Sequence, residues 1–236
     1  MDIIILAGGL GTRLRTVVKG LPKPMASVAN RPFLEYLFDY LIRQDINNTF
    51  IVSVGYEYQK IINHFGDNYK SYHLIYVVED TPLGTGGGIK LALSQTKTEQ
   101  VLIINGDTLF NANLHQMIDF HFNKDADITL ALKPLTNFER YNNIRLDKYY
   151  KVMEFQEKQM KDKGYINGGI YILRKKILET FNLPDKFSFE EDFLKPYSNQ
   201  IKIYGFISSN YFIDIGIPED YTKSQIQLPL IGTTIF

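Results

Sequence analysis

Two glycine-rich segments bring backbone N–H groups with little side-chain bulk: Ala7-Gly8-Gly9-Leu10-Gly11-Thr12-Arg13-Leu14 and Pro82-Leu83-Gly84-Thr85-Gly86-Gly87-Gly88. A backbone without Cβ atoms can close on phosphate oxygens. Around the first segment the charge has one sign. From Ile3 to Leu34 there are five basic residues, Arg13, Arg15, Lys19, Lys23 and Arg31, and no acidic one. At the chain's average acidic frequency such a window arises about 2–3% of the time, if positions are independent. A solvated basic loop would account for the charge alone, but the interleaved glycines favour a seat for a polyanion. Arg13 offers phosphate a bidentate fork and Lys23 a point charge. Arg15 and Lys19 lack that support and add only to the field.

Two aspartates complete the set. Asp107 follows an apolar strand and Gly106, and Asp214 ends the strand-like Tyr211-Phe212-Ile213. Carboxylates from distant positions can meet over adjacent strands, and Mg²⁺ takes a few carboxylates plus phosphate oxygens. Either residue alone reads equally well as a loop Asp capping a turn. Two familiar phosphate motifs fail on spacing. No Walker loop is present, and the dinucleotide fingerprint would need glycine where Leu14 stands, although Glu35 could serve as its acidic residue.

The elements that must position these groups alternate along the chain. Asp2–Leu6, Phe50–Val54, Leu74–Val78, Val101–Ile104 and Ile128–Leu132 read as strands. Between them, helices are expected at Tyr58–Phe65, Gly87–Gln95 and Leu114–Asn123. Another follows the glycine-rich loop, with Asn30 as N-cap, Pro32 near N1, and Phe33, Leu34, Leu37, Phe38, Leu41 and Ile42 as its apolar face. This rhythm predicts an α/β, Rossmann-like, mostly parallel sheet with helices on both faces, and ligands beyond the strands' carboxyl ends. After about Lys133, strands at Ile144–Leu146, Val152–Phe155 and Tyr165–Leu173 come in succession, predicting antiparallel additions that form a rim. No linker separates the halves, so residues 1–236 read as one domain, in which the rhythm changes at about residue 133.

Composition narrows the class. The 236 residues carry 26 basic and 26 acidic side chains, no Cys, and 44% hydrophobic residues. That excludes disorder as the main state, a disulfide scaffold and thiolate or Cys-ligated metal chemistry. Neutral balance argues against nucleic acid as a partner, and no apolar run approaches the ~20 residues of a membrane span. Met1-Asp2-Ile3 shows no basic leader, so a cytoplasmic location is expected. His64, His73, His115 and His121 lack metal-ligand spacing and read as structural. The apolar stretch from Leu228-Pro229-Leu230-Ile231 through Phe236 is expected to pack against the body, or against a second subunit of a homodimer.

The first glycine-rich string, followed by Pro22-Lys23-Pro24-Met25, resembles the loop of the sugar-1-phosphate nucleotidylyltransferases, the nucleotide-sugar pyrophosphorylases. The resemblance continues in order through Pro82–Gly87, Asn105-Gly106-Asp107, Glu157-Lys158, Asn167-Gly168-Gly169-Ile170-Tyr171 and Asp214-Ile215-Gly216-Ile217-Pro218-Glu219-Asp220-Tyr221. It implies the nucleotide-diphospho-sugar transferase fold, with a nucleotide-binding core over 1–132 and a sugar-binding, metal-completing part over 133–236, and a reaction between a nucleoside triphosphate and a sugar 1-phosphate. A sugar-phosphate oxygen would attack the α-phosphorus and pyrophosphate would leave. Since the nucleophile is already an anion, positioning and electrostatics must do the work.

By the same resemblance, Arg13 contacts the triphosphate and departing pyrophosphate, Lys23 neutralises phosphates at the reacting centre, and Asp107 with Asp214 holds Mg²⁺. Leu6, Ala7, Gly8, Gly9, Gly11, Thr12, Glu79, Pro82, Gly84, Thr85 and Gly106 would bind the nucleotide. Asn142, Glu157, Lys158, Asn167 and Gly168 would bind the sugar phosphate. Phe187-Ser188-Phe189-Glu190-Glu191-Asp192 and the Asp-Ile-Gly-Ile-Pro string are similar to the branch acting on D-glycero-α-D-manno-heptose 1-phosphate with GTP, which makes activated sugars for surface glycans. Uridylyl or thymidylyl transfer, and a nucleotide-sensing module without catalysis, remain alternatives. Glu79 occupies the position from which relatives address the base. A carboxylate accepts both donors on guanine's edge, which favours GTP, although Glu79 could instead hold a neighbouring backbone N–H. Two departures stand out: Asn142 where many relatives have glycine, and Ile217 where threonine is common.

Overall fold

The computed structural model describes residues 1–9, 11, 14, 18 and 20–234. β-Branched runs flanked by glycines and helix starts give β1 (Asp2–Leu6), α1 (Phe33–Gln44), β2 (Thr49–Val54), α2 (Tyr58–Phe65) and β3 (Tyr72–Val78). They are followed by α3 (Gly84–Ala92), β4 (Gln100–Asn105), α4 (Leu114–Asn123), β5 (Ile128–Phe138), β6 (Lys161–Arg174), β7 (Ile203–Ile207) and α5 (Pro218–Thr234). One eight-stranded sheet runs β7-β5-β6-β4-β1-β2-β3, with the short strand Asn68–Tyr69 at its far edge. The pairs β4–β1, β1–β2, β2–β3 and β7–β5 are parallel, whereas β6 lies antiparallel between β4 and β5.

Alternation along the strands divides the core. Ile3, Ile5, Phe50, Val52, Leu102 and Ile104 face α1, α2 and α4, packing on Leu37, Phe38, Ile61 and Met117. Ile4, Ile51, Val101 and Ile103 face the other way, against Ile89 and Ala92 of α3 and Phe187, Phe189 and Phe193. Burying both faces is what continuous apolar strands require. His121 of α4 ties this frame: its ring nitrogens lie 2.8 Å from Thr129 Oγ1 and 3.0 Å from Gln100 Oε1.

Three expectations are corrected. Asn30 is not an N-cap: Ala29 and Asn30 both take positive φ (46° and 66°) and turn the ribbon Ser27–Val28/Arg31–Pro32, so Pro32 caps α1 instead. α3 starts at Gly84 rather than Gly87, because its glycines are drawn against the 185–187 backbone. β5 and β6 run longer than their apolar cores, since they pair with each other as far as Phe138 and Lys161.

Candidate active site

The first glycine-rich turn leaves β1 at the sheet's carboxyl edge. Its backbone is pinned by Ala7 N–H donating to Ser53 O at 2.7 Å and Tyr56 N–H to Gly8 O at 3.4 Å. Beyond it, Pro22 and Pro24 stiffen a single 3-10 turn, Lys23–Met25, and Lys23 is only 9% exposed. Gly11 at φ 57° lets this turn approach: a Cβ there would stand 3.1 Å from that of Lys23. The ammonium is therefore aimed by buried backbone and is not free to sweep through solvent.

Both aspartates are brought to that ammonium. Gly106 N–H donates to Leu6 O at 2.9 Å, and a Cβ on Gly106 would stand 2.7 Å from that oxygen, so only glycine lets the β4 exit hug β1. Next, Thr108–Phe110 pairs antiparallel with Phe212–Asp214, setting Thr108 opposite Asp214, while Ile215 N–H donates to Asp107 O at 3.1 Å. Lys23 Nζ consequently lies 2.5 Å from Asp107 Oδ2 and 3.6 Å from Asp214 Oδ1. Gly216 leaves room for it and donates its N–H to Asp214 Oδ1 at 2.7 Å. Burial raises the Asp214 pKa, as does the Asp107 charge, with Lys23 opposing. On the other side Arg140 pairs with Asp220 at 2.6 Å and reaches within 4.0 Å of Asp214.

Two clefts open here. The first, of 390 Å³, is lined by Leu6, Ala7, Gly8, Gly9, Gly11, Lys23, Glu79, Pro82, Gly84 and Thr85, together with Pro24, Gly88, Asn105, Asp107 and Gly216. Glu79 shows the second behaviour considered for it, accepting Leu83 N–H at 3.1 Å, with Ser53 Oγ at 3.3 Å, while also lining the cleft. The second cleft, of 550 Å³, is lined by Asn142, Glu157, Lys158 and Asn167, and again by Asn105 and Asp107, with Asp214. Gly106 and Gly168 line neither: each lies behind a wall, where its missing side chain makes room for Leu6 O and the Phe110 ring respectively. Arg13 and Thr12 lie outside the described residues.

Of the other residues on the second cleft, Glu190 and Glu191 were legible only as part of the Phe187–Asp192 string and Tyr141 only as the neighbour of Asn142, with no role given to any of the three. Arg140 was missed, since it sits in no glycine-rich or strand-end context that would have marked it. Asn167 turns into this cleft because β6 breaks register after it, at Gly168-Gly169, with Gly169 at φ 75°. None of the four histidines lines either cleft. No helix among the described residues is long and apolar enough to cross a membrane.

Two clefts thus meet at the carboxyl edge of an α/β sheet, around the Lys23 ammonium held by two aspartates, an arrangement that suits nucleotidyl transfer. The chain belongs to the nucleotidyltransferase family: the model described as nucleotidyl transferase matches residues 2–229. Among its relatives are two proteins called D-glycero-alpha-D-manno-heptose 1-phosphate guanylyltransferase. The one from Aneurinibacillus thermoaerophilus is 51% identical, over 97% of this chain and 98% of its own. That from Campylobacter jejuni is 45% identical, over 94% and 97%. The crystal structure of HddC from Yersinia pseudotuberculosis superposes with a TM-score of 0.86 at 39% identity, covering 95% of this chain and 97% of that one. A second structure of HddC is complexed with GMP-PN and superposes at a TM-score of 0.84, with 38% identity.

Proposed function

We propose that this chain transfers a guanylyl group from GTP to D-glycero-α-D-manno-heptose 1-phosphate, releasing pyrophosphate and giving a GDP-heptose for surface glycans. The observation that carries the chemistry is that Asn105 and Asp107 belong to both clefts. A triphosphate in the first and a sugar phosphate in the second would meet at that shared wall. The substrate pair rests on the relatives at 51% and 45% identity and on the guanine nucleotide analogue in HddC.

The sugar-phosphate oxygen forms a bond to the α-phosphorus as the α–β bridging bond breaks, and the electron pair leaves with pyrophosphate. No proton needs to be removed, in keeping with the absence of histidine from both clefts. Lys23, held by buried backbone, offsets charge on the phosphoryl oxygens without having to reorganise. Arg13, within the glycine-rich sequence, receives the departing pyrophosphate. Glu79, oriented by Leu83 N–H and Ser53, accepts from the guanine edge. Lys158 contacts the sugar phosphate and Glu157 the sugar hydroxyls.

Asp107 and Asp214 would hold a divalent ion, Mg²⁺: both carboxylates turn to the Lys23 ammonium, and burial together with the Asp107 charge raises the Asp214 pKa, so further positive charge would be welcome there. Bound there, the ion would neutralise phosphate oxygens during transfer. The experiment is pyrophosphate release across GTP, UTP, dTTP, CTP and ATP against a panel of sugar 1-phosphates, in the cytoplasmic pH range where the enzyme is expected to work. GTP with the heptose 1-phosphate should dominate. Equal turnover with UTP or dTTP below saturation overturns the nucleotide assignment, and no release from any pair points to a nucleotide-sensing module.

A further inference from the structure

Asn105, one of the two residues shared by both clefts, is backed by a buried phenol. Tyr171 of β6 is 2% exposed, with its ring edge-on to Phe189 at a centroid distance of 5.3 Å. Its hydroxyl donates to Glu190 Oε1 at 2.8 Å and accepts from Asn167 Nδ2 at 2.9 Å. Asn167 also donates to Glu190 Oε1 at 2.9 Å, closing a triangle on the π-helical turn Phe189–Leu194. Burial, with the Glu190 charge, pushes the Tyr171 pKa well above its ordinary 10, and Asn167 and Asn105 oppose that rise as hydrogen-bond donors to the phenol. The hydroxyl therefore keeps its proton, and its one donor and two acceptor positions are all in use.

The sheet brings these groups together. β6 runs antiparallel to β4 with Tyr171 opposite Ile103 and Ile170 opposite Ile104, which carries Gly169 to the level of Asn105. A Cβ on Gly169 would stand 2.9 Å from Asn105 Nδ2, so the absent side chain leaves the amide its place. A phenylalanine at 171 would fill nearly the same volume, but it would leave two amide N–H groups without their acceptor and Glu190 with one donor fewer. In a buried polar network such losses make the remaining side chains turn away or stay unmet. Resting on the reading of the clefts as the triphosphate and sugar 1-phosphate sites, we infer that Tyr171 is a positioning residue for the transfer. Its hydroxyl holds Asn105 at the wall where the phosphates meet and Asn167 in the second cleft, keeping the two clefts in register. Reacting atoms misplaced by about 1 Å lose roughly 100-fold in rate, so a group that fixes the shared wall from behind acts on the chemical step. The glycine-rich walls of the first cleft are built by β1, α3 and the Lys23–Met25 turn, so the hydroxyl does not govern the binding of GTP.

The test is steady-state pyrophosphate release from GTP and D-glycero-α-D-manno-heptose 1-phosphate by the full chain, Tyr171→Phe, Asn105→Ala and the double variant. Tyr171→Phe should lower kcat roughly 10- to 100-fold and leave KM for GTP within about twofold. Because the hydroxyl acts through Asn105, the double variant should lose much less than the product of the two single losses. An unchanged kcat in Tyr171→Phe, losses that multiply in full, or a rise in KM for GTP as large as the fall in kcat would each overturn the inference. If Tyr171→Phe does not fold, Asn105→Ala decides: an unchanged kcat overturns the inference, and a lowered kcat at the ordinary KM for GTP upholds it. Failure of the underlying reading looks different, because the unmodified chain would then release no pyrophosphate.

Discussion

At the scale of single residues, the centre of the site is a lysine between two aspartates. Lys23 contributes an oriented charge where phosphoryl oxygens must gather, so Lys23→Met should lower kcat for pyrophosphate release by roughly 10²–10³. A second residue makes a statement about stability. Burial raises the Glu190 pKa above its ordinary 4.5, with Tyr171 and Asn167 only partly offsetting it by hydrogen bonding. The folded chain therefore holds that proton more tightly than the unfolded chain, and stability falls as pH rises from 4.5 through the folded value. Glu190→Gln does not titrate and still accepts at Oε1. Denaturant titrations should find it more stable than the unmodified chain at pH 7, with the difference gone below about pH 4. Lys23, Asp107 and Asp214 were legible in the sequence because each stands at a strand end or among glycines. Arg140 was not, and Glu190 stood in the Phe187–Asp192 string without a role, because long-range chain geometry alone brings them to the cleft.

At the scale of elements, strands with continuous β-branched runs and the helices at 58–65 and 114–123 could be read directly from periodicity. What periodicity could not supply was the start of α3, where glycine composition hides a helical turn. Its first residue explains why: a Cβ on Gly84 would stand 2.5 Å from Phe187 O, at a φ of 75°. The same backbone carries Phe187 O to Gly86 N–H at 3.0 Å and Phe189 N–H to Thr85 Oγ1 at 2.9 Å. The start of α3 and the Phe189–Leu194 turn are thus one packed unit. Gly84→Ala should cost about 1–3 kcal/mol in chemical denaturation and raise KM for both substrates, since neither wall can shift alone.

At the scale of the molecule, the chain's last helix closes onto its first loop. Leu228 is fully buried in a cluster with Leu14, Val28, Phe33 and Ile213, and Tyr221 Oη donates to Ser27 O at 2.6 Å. Of the apolar stretch read from sequence, Leu228 and Ile231 pack on the body while Leu230 is 62% exposed, and Ile235 and Phe236 lie outside the described residues. Leu228→Ala should therefore cost about 2–5 kcal/mol, read as a lowered denaturation midpoint. It should also loosen the segment that presents Asp214 and Gly216 to Lys23. A mostly parallel sheet followed from alternating strands and helices, but the insertion of antiparallel β6 between β4 and β5, where a rim was expected, did not, because strand neighbours far apart in sequence leave no local signal.

The central claim is that two clefts sharing Asp107 let the two phosphates react directly, with no covalent enzyme intermediate. The stereochemistry at the α-phosphorus tests it most directly, using GTP carrying a single sulfur on that phosphorus and the heptose 1-phosphate as acceptor. One in-line displacement predicts inversion of configuration in the nucleotide-sugar product. Retention would mean two successive displacements through a group on the protein, and would contradict the account.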